Sequence, residues 1–119
     1  MNKTLRVPDY LDHILVAIER IGRHTADINE DAFLTNEMIQ DAVIRNLEVI
    51  GEAANLIRKV DAVFAESHPE IPWQVMYAMR NRLAHGYDTI DFNVVWQTVG
   101  HDLPALYQLI KAAKPSDHI

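Results

Sequence analysis

Apolar residues recur three and four positions apart along most of this chain, a period typical of amphipathic α-helices. The first stripe follows Pro8, which suits a first helical turn because its missing N–H would have no partner there. The apolar positions of this stripe are Leu11, Ile14, Leu15, Ile18 and Ile21. The stripe fades into the acidic segment from Asp27 to Asp31, so we predict a helix followed by a loop.

A second stripe predicts a long helix from Thr35 or Asn36, both good N-cap residues, to about Lys59. One face carries Ile39, Val43, Leu47, Ile50, Ala54 and Ile57. Gly51 lies inside this helix, where glycine costs about 1 kcal/mol relative to alanine. Two alanines follow it closely, so we expect another helix to approach at Gly51.

Two further helices complete the pattern. After a loop at Glu66 to Pro69, Pro72 opens a helix that Gly86 is expected to stop. The residues at helical spacing within it are Trp73, Met76, Tyr77, Met79, Arg80 and Leu83. Asp91 is the expected N-cap of the last helix. The apolar positions of that helix are Val94, Val95, Trp96, Val99, Leu103, Leu106, Leu109 and Ile110.

Pro104 lies inside this last stripe. Because proline lacks an N–H and clashes with the preceding turn, we predict a kink or a break between Gly100 and Leu103. Pro115 and a polar tail end the helix. No segment alternates with period two for long enough to indicate a sheet. The pattern therefore predicts one all-α domain over residues 1–119, an up-and-down bundle of four main helices.

Composition narrows the classes of function. The chain has 119 residues, a net charge of −6 and no cysteine. The acidic balance counts against broad nucleic-acid binding, which depends on many Lys and Arg contacts with phosphates. The absence of cysteine excludes disulfides and thiolate metal sites. Polar residues interrupt the N-terminus and no apolar run reaches membrane-spanning length, so we expect a soluble cytoplasmic protein.

The densest chemistry lies at the end of the third predicted helix, where Arg80, Asn81, Arg82, His85 and Tyr87 fall within about two turns. An arginine binds phosphate through a bidentate fork, and a histidine exchanges a proton near neutral pH. This combination suits cleavage of a phosphodiester, with His85 as general base and then acid and Arg80 stabilising the charge. Asn81, Arg82 and Tyr87 are candidates for supporting contacts with RNA. On spacing alone, however, a solvated helix face is the simpler interpretation, because short motifs often arise by chance.

Two segments resemble one known family. Arg80 and Asn81, followed by His85 and Tyr87, resemble the Arg-x4-His-x-Tyr signature of HEPN-domain ribonucleases, in which a polar residue follows the arginine. The segment from Arg45 to Ala53, with the letters RNLEVIGEA, is similar to the second helix of the HepT branch. The resemblance extends over nearly the whole chain in length and helix order.

This resemblance implies a small all-α homodimer whose two motifs meet in a cleft between subunits. It implies a metal-independent endoribonuclease without a cofactor, the toxin of a type II or AMP-transfer-controlled toxin–antitoxin pair. Its antitoxin would be a minimal nucleotidyltransferase of the MNT type, which silences the toxin by transferring AMP to a tyrosine. Arg80 and His85 correspond to the catalytic pair, and Tyr87 corresponds to the modified tyrosine.

Other interpretations stay open beside this one. Glu48 and Glu52 have a spacing that can hold a divalent metal, although an ion pair of Arg45 with Glu48, within the helix or across subunits, is the simpler expectation. The remaining histidines lack ligand spacing and are expected to be structural or surface residues: His13, His24, His68, His101 and His118. The alternative function is a non-catalytic helical dimer that serves a nucleotidyltransferase as scaffold or substrate.

Overall fold

A computed structural model describes residues 6–115, except for the side chain of Tyr87. All regular secondary structure within residues 6–115 is helical, which confirms the predicted all-α fold. The α-helices within this range are α1 Val7–Thr25, α2 Glu30–Leu34, α3 Glu37–Val60, α4 Ala62–Glu66, α5 Trp73–His85, α6 Phe92–Gln97 and α7 Leu103–Ala113. The single domain is predicted over residues 1–119, and both ends of that range lie outside the described residues. His118, predicted to be a structural or surface residue, lies outside them as well.

The long helix α3 forms the centre of the molecule and packs against both α1 and α5, while α7 packs against α1. Its buried face includes Val43, Leu47, Ile50, Ala54 and Ile57, as the second apolar stripe predicts. The buried residues of α1 include Leu11, Ile14 and Ile21. The four main helical segments are therefore the predicted ones, and α2 and α4 are short additions to them.

The start of α3 is the predicted one, because the Asn36 side chain accepts a hydrogen bond from the Ile39 N–H at 3.0 Å. The loop predicted from Asp27 to Asp31 is wrong in its second half, where α2 begins. The Asn29 side chain caps α2 by accepting from the Ala32 N–H at 2.9 Å. This one-turn helix is held by Phe33, which is fully buried and contacts aromatic rings of α6.

The helix α4 was not predicted either. Asp61 ends α3 and at once caps α4, because its carboxylate accepts from the Phe64 N–H at 3.0 Å. The loop predicted from Glu66 onward begins directly after it. The Trp73 indole N–H then donates to the Ala65 carbonyl at 3.0 Å and joins α4 to the start of α5.

The last helix is interrupted where Pro104 predicts it. A π-helical turn spans Thr98–Asp102, between α6 and α7. In this turn the Leu103 N–H donates to the Thr98 carbonyl, five residues back. The wide turn accommodates Pro104 near the start of α7, where its missing N–H costs little.

The helices α1 and α7 are also joined at the surface. The Tyr107 hydroxyl donates to Glu19 Oε2 at 2.6 Å. This hydrogen bond, with a smaller effect of burial and of the carboxylate charge, raises the pKa of Tyr107 above its usual value. None of the helices described between residues 6 and 115 combines the length and the apolar character of a membrane span.

Candidate active site

The candidate site is built where α5 crosses α3 at Gly51. A Cβ added to Gly51 would lie 2.3 Å from the Arg80 Cβ and 2.6 Å from the Met76 carbonyl oxygen. No real side chain fits in that space, so the glycine permits a close approach of the two helices. This confirms the approach predicted from the sequence, and it identifies Arg80 as the residue that approaches.

The contact at Gly51 brings the Arg80 side chain beside the next residue of α3. Arg80 Nε lies 3.4 Å from Glu52 Oε1. Arg80 Nη1 donates to the Asn81 side-chain oxygen at 3.0 Å. Only the N–H directed at Asn81 forms a hydrogen bond among residues 6–115, and the contact with Glu52 is an ion pair, so other guanidinium N–H groups remain for another ligand. The Arg80 and Glu52 side chains are 31% and 45% exposed, so water weakens this ion pair and leaves Arg80 accessible.

His85, the last residue of α5, is exposed and bonds the backbone of Asn81. Its Nδ1 lies 3.0 Å from the Asn81 carbonyl oxygen. A carbonyl only accepts hydrogen bonds, so Nδ1 carries a proton in this arrangement. In the neutral imidazole Nε2 then keeps its lone pair and is free to accept a proton. Asn81 thus holds Arg80 by its side chain and His85 by its backbone, and no direct hydrogen bond joins Arg80 to His85 within residues 6–115.

Arg82 and Tyr87 are placed differently. Arg82 is two positions from Arg80, about 200° around the helix, and lines a separate groove with residues of α6. The structure therefore does not bring Arg80 and Arg82 together within one chain. Tyr87 begins a 3-10 turn directly after Gly86, whose N–H donates to the Arg82 carbonyl at 2.8 Å. The Tyr87 side chain lies outside the part of the chain that the structure describes.

The Arg80 side chain lines a surface cleft of about 280 Å³ between α1, α3 and α5. Residues from all three helices line this cleft: Tyr10, His13, Arg45, Glu48, Val49, Glu52, Ala53, Leu56, Arg80 and Ala84. The two segments that carry the resemblance, on α3 and α5, therefore meet within one chain.

The charged residues of α3 do not pair as the sequence predicts. In the described chain, Arg45 has no ion pair within 4 Å, so the intrahelical pair expected with Glu48 is wrong. The carboxylate that binds an arginine is Glu52, and its partner is Arg80 on the neighbouring helix. Across residues 6–115, no group of three or more His, Asp and Glu residues has an arrangement that could hold a metal ion.

The model of a family described as "Ribonuclease HepT-like" matches residues 14–113. The chain belongs to this HepT-like family. It is 45% identical over 98 residues to "Probable ribonuclease HepT" of Thermococcus cleftensis, a match that covers 82% of this chain and 86% of that protein.

Two proteins of Methanocaldococcus jannaschii extend the HepT-like comparison. One, named "Putative RNase", is 39% identical over 100 residues, covering 84% of this chain and 89% of its own. The other, named "Gamma-glutamylcyclotransferase and putative RNase", is 40% identical over 110 residues. That match covers 92% of this chain but 47% of the larger protein. No solved structure matches the chain.

Within this HepT-like domain, the sequence reasoning missed the residues that surround Arg80 from other helices. Glu52 is a possible metal ligand by its spacing from Glu48, but its position next to Gly51 places it at the edge of the face that meets α5. Tyr10 and His13 lie on α1 and line the cleft. No sequence signal joins them to Arg80, because the spacing within one helix does not say which other helix its residues will meet.

Proposed function

We propose that this HepT-like protein is a metal-independent endoribonuclease in which His85 transfers protons and Arg80 stabilises the phosphate. The observation that carries the proposal is the hydrogen bond from His85 Nδ1 to the Asn81 carbonyl, which leaves Nε2 free as a base. Family membership supplies the substrate class, since the relatives are named as ribonucleases.

The reaction needs no group outside the chain and its RNA substrate. His85 Nε2 takes the proton of a ribose 2′-hydroxyl, and the 2′-oxygen attacks the adjacent phosphorus. The bond from phosphorus to the 5′-oxygen then breaks, and the His85 imidazolium returns its proton to that leaving oxygen. The products are a 2′,3′-cyclic phosphate and a free 5′-hydroxyl.

Arg80 acts on the charge that develops on the phosphate oxygens during this step. The guanidinium N–H groups that are not bonded to Asn81 are available to those oxygens, while Glu52 and Asn81 hold the guanidinium in place. Asn81 fixes the imidazole as well, so one residue sets the relative positions of the acid–base group and the cation. Arg82, on the other side of α5, is more suited to a contact with RNA away from the bond that is cleaved.

The regulation that we propose runs through Tyr87. A minimal nucleotidyltransferase encoded as the antitoxin transfers AMP to the Tyr87 hydroxyl and releases pyrophosphate from ATP. The backbone of Tyr87 follows the end of α5 by two residues, so an AMP ester there adds negative charge beside Arg80 and His85 and repels RNA. We further propose that the active form is a homodimer, in which two copies of Arg80 face one cleft and offset the acidic charge locally.

The experiment that tests this function is cleavage of a mixed-sequence RNA by the purified protein in the presence of EDTA. We expect cleavage with 2′,3′-cyclic phosphate ends. His85→Ala should abolish it, whereas His24→Ala, another exposed histidine at a helix end, should not. Loss of cleavage on chelation would contradict metal independence. Equal activity of the two histidine variants would remove His85 from the mechanism.

A further inference from the structure

The cleft beside Arg80 contains chemistry that the proposed mechanism does not use. Tyr10 and His13 enter it from α1, and Arg45 and Glu48 enter it from α3. Together these side chains provide two aromatic rings, a cation and a carboxylate.

The aromatic part is a corner made by two rings. The Tyr10 and His13 rings lie perpendicular to one another, with centroids 5.7 Å apart. Tyr10 is half-buried and packs against the core, so its position is fixed, while His13 is exposed. Aromatic side chains of this kind stack on nucleobases without needing a particular sequence.

The charged part of the cleft indicates the chemistry of the ligand. Arg45 is exposed and has no carboxylate within ion-pair distance among residues 6–115, so its cation is available to a ligand. Arg80 supplies a second guanidinium to the same cleft. Glu48 and Glu52 would repel a compact polyphosphate, but they accept hydrogen bonds from hydroxyl and amino groups. A ribonucleotide within a chain has these properties, since it carries separated phosphates, a ribose and a base.

We propose that this cleft is the subsite for the nucleotide adjacent to the bond that is cleaved. The base lies against Tyr10 and His13, and the phosphate on its far side contacts Arg45. The volume of about 280 Å³ is just below the range of roughly 300–1,000 Å³ typical of small-molecule pockets, so it limits the occupant to about one nucleotide. This inference rests on the proposed function, because it takes Arg80 to contact the phosphate at the cleavage point.

The test measures binding separately from cleavage. The probe is a fluorescein-labelled 2′-O-methyl oligoribonucleotide, which cannot be cleaved because it has no free 2′-hydroxyl, and binding is read as anisotropy. We expect His13→Ala and Arg45→Ala each to raise the Kd about tenfold, because each removes a stacking or a phosphate contact. Two matched controls on the exposed face of α1, His24→Ala and Arg20→Ala, should leave the Kd unchanged.

The salt dependence of binding separates a phosphate contact from a general structural effect. Arg45→Ala should reduce the slope of log Kd against log salt by about 0.7, the value for one phosphate contact with a single strand. Arg20→Ala should not change the slope, although it removes the same charge from the protein.

The outcomes distinguish this inference from the proposed function. If the wild type binds the probe but cleaves no RNA, and the two cleft variants bind weakly, the cleft is a nucleotide-binding site, but the ribonuclease proposal fails and the position beside a cleaved bond fails with it. If the wild type cleaves RNA while both cleft variants keep the wild-type Kd and slope, the subsite is wrong. A change of mass by light scattering in the cleft variants, without a change of Kd, would instead assign His13 and Arg45 to contacts between subunits and would also overturn the subsite.

Discussion

Replacing Gly51 by alanine tests whether the helix crossing places Arg80. The new Cβ would lie 2.3 Å from the Arg80 Cβ, about 1.2 Å short of a normal contact of about 3.5 Å. The second obstacle, the Met76 carbonyl oxygen at 2.6 Å, belongs to the backbone. Neither atom can rotate away, so α5 itself must move by about 1 Å.

The expected free-energy change follows from two opposing effects. Overpacking of this kind costs about 3 kcal/mol at the upper end of its usual range. Alanine favours the helix over glycine by about 1 kcal/mol. We therefore expect Gly51→Ala to lower the free energy of unfolding by about 2 kcal/mol. Because a 1 Å misplacement of a catalytic group can cost about 100-fold in rate, RNA cleavage should fall by up to that factor.

Urea unfolding followed by circular dichroism measures the first effect, and the cleavage rate measures the second. The matched control is Gly22→Ala in α1, where an added Cβ has no atom within 4 Å. This control should gain about 0.5–1 kcal/mol of stability and keep full activity. Adding Arg80→Ala to Gly51→Ala should not restore stability, because alanine retains the Cβ and the Met76 carbonyl is unchanged. If Gly51→Ala and Gly22→Ala behaved alike, the close crossing would be refuted.

Three further predictions concern single contacts. Glu52→Gln should lower the cleavage rate by less than about fivefold, because an exposed ion pair contributes at most about 1 kcal/mol to holding Arg80; a complete loss would make Glu52 part of the chemistry. Tyr87→Phe, incubated with the proposed nucleotidyltransferase partner and ATP, should gain no AMP by mass spectrometry, and a modified variant would mean that another residue accepts it. Because Glu19 raises the pKa of Tyr107, Glu19→Ala should lower that pKa in an ultraviolet titration, with Tyr107→Phe as the control that identifies the Tyr107 signal. The contribution of this bond to stability should be fully present below the ordinary tyrosine pKa and should be lost as the pH rises through the raised pKa of Tyr107. An unshifted Tyr107 titration in Glu19→Ala would show that the hydrogen bond is not formed in solution.

The sequence predicted the elements whose signals are local. The Asn36 cap, the kink before Pro104 and the close approach at Gly51 each depend on the chemistry of one residue type, and each is present. The helices α2 and α4 were missed because five residues are too few to display a helical period. Their actual determinants are the caps Asn29 and Asp61, which also resemble ordinary loop residues.

The candidate site was predictable only along one helix. Arg80, Asn81 and His85 lie on α5, and their order is visible in the sequence. The pairing of Arg80 with Glu52 depends on the crossing of α3 and α5, which no spacing within a helix specifies. Arg45 and Glu48 are three residues apart on α3 and do not form the intrahelical pair within residues 6–115, while the pair across subunits stays a prediction.

The π-helical turn at Thr98–Asp102 allows one helical rod to serve two partners. Before it, α6 places Phe92 and Trp96 against Phe33 of α2. After it, α7 packs on α1. In an uninterrupted helix, adding or deleting one residue rotates everything beyond it by about 100° and would turn a buried face to water. Here the rotation of α7 relative to α6 is set within the π-helical turn, whose backbone is already irregular. We therefore expect an added or deleted residue to be tolerated better at residues 98–102 than within α3.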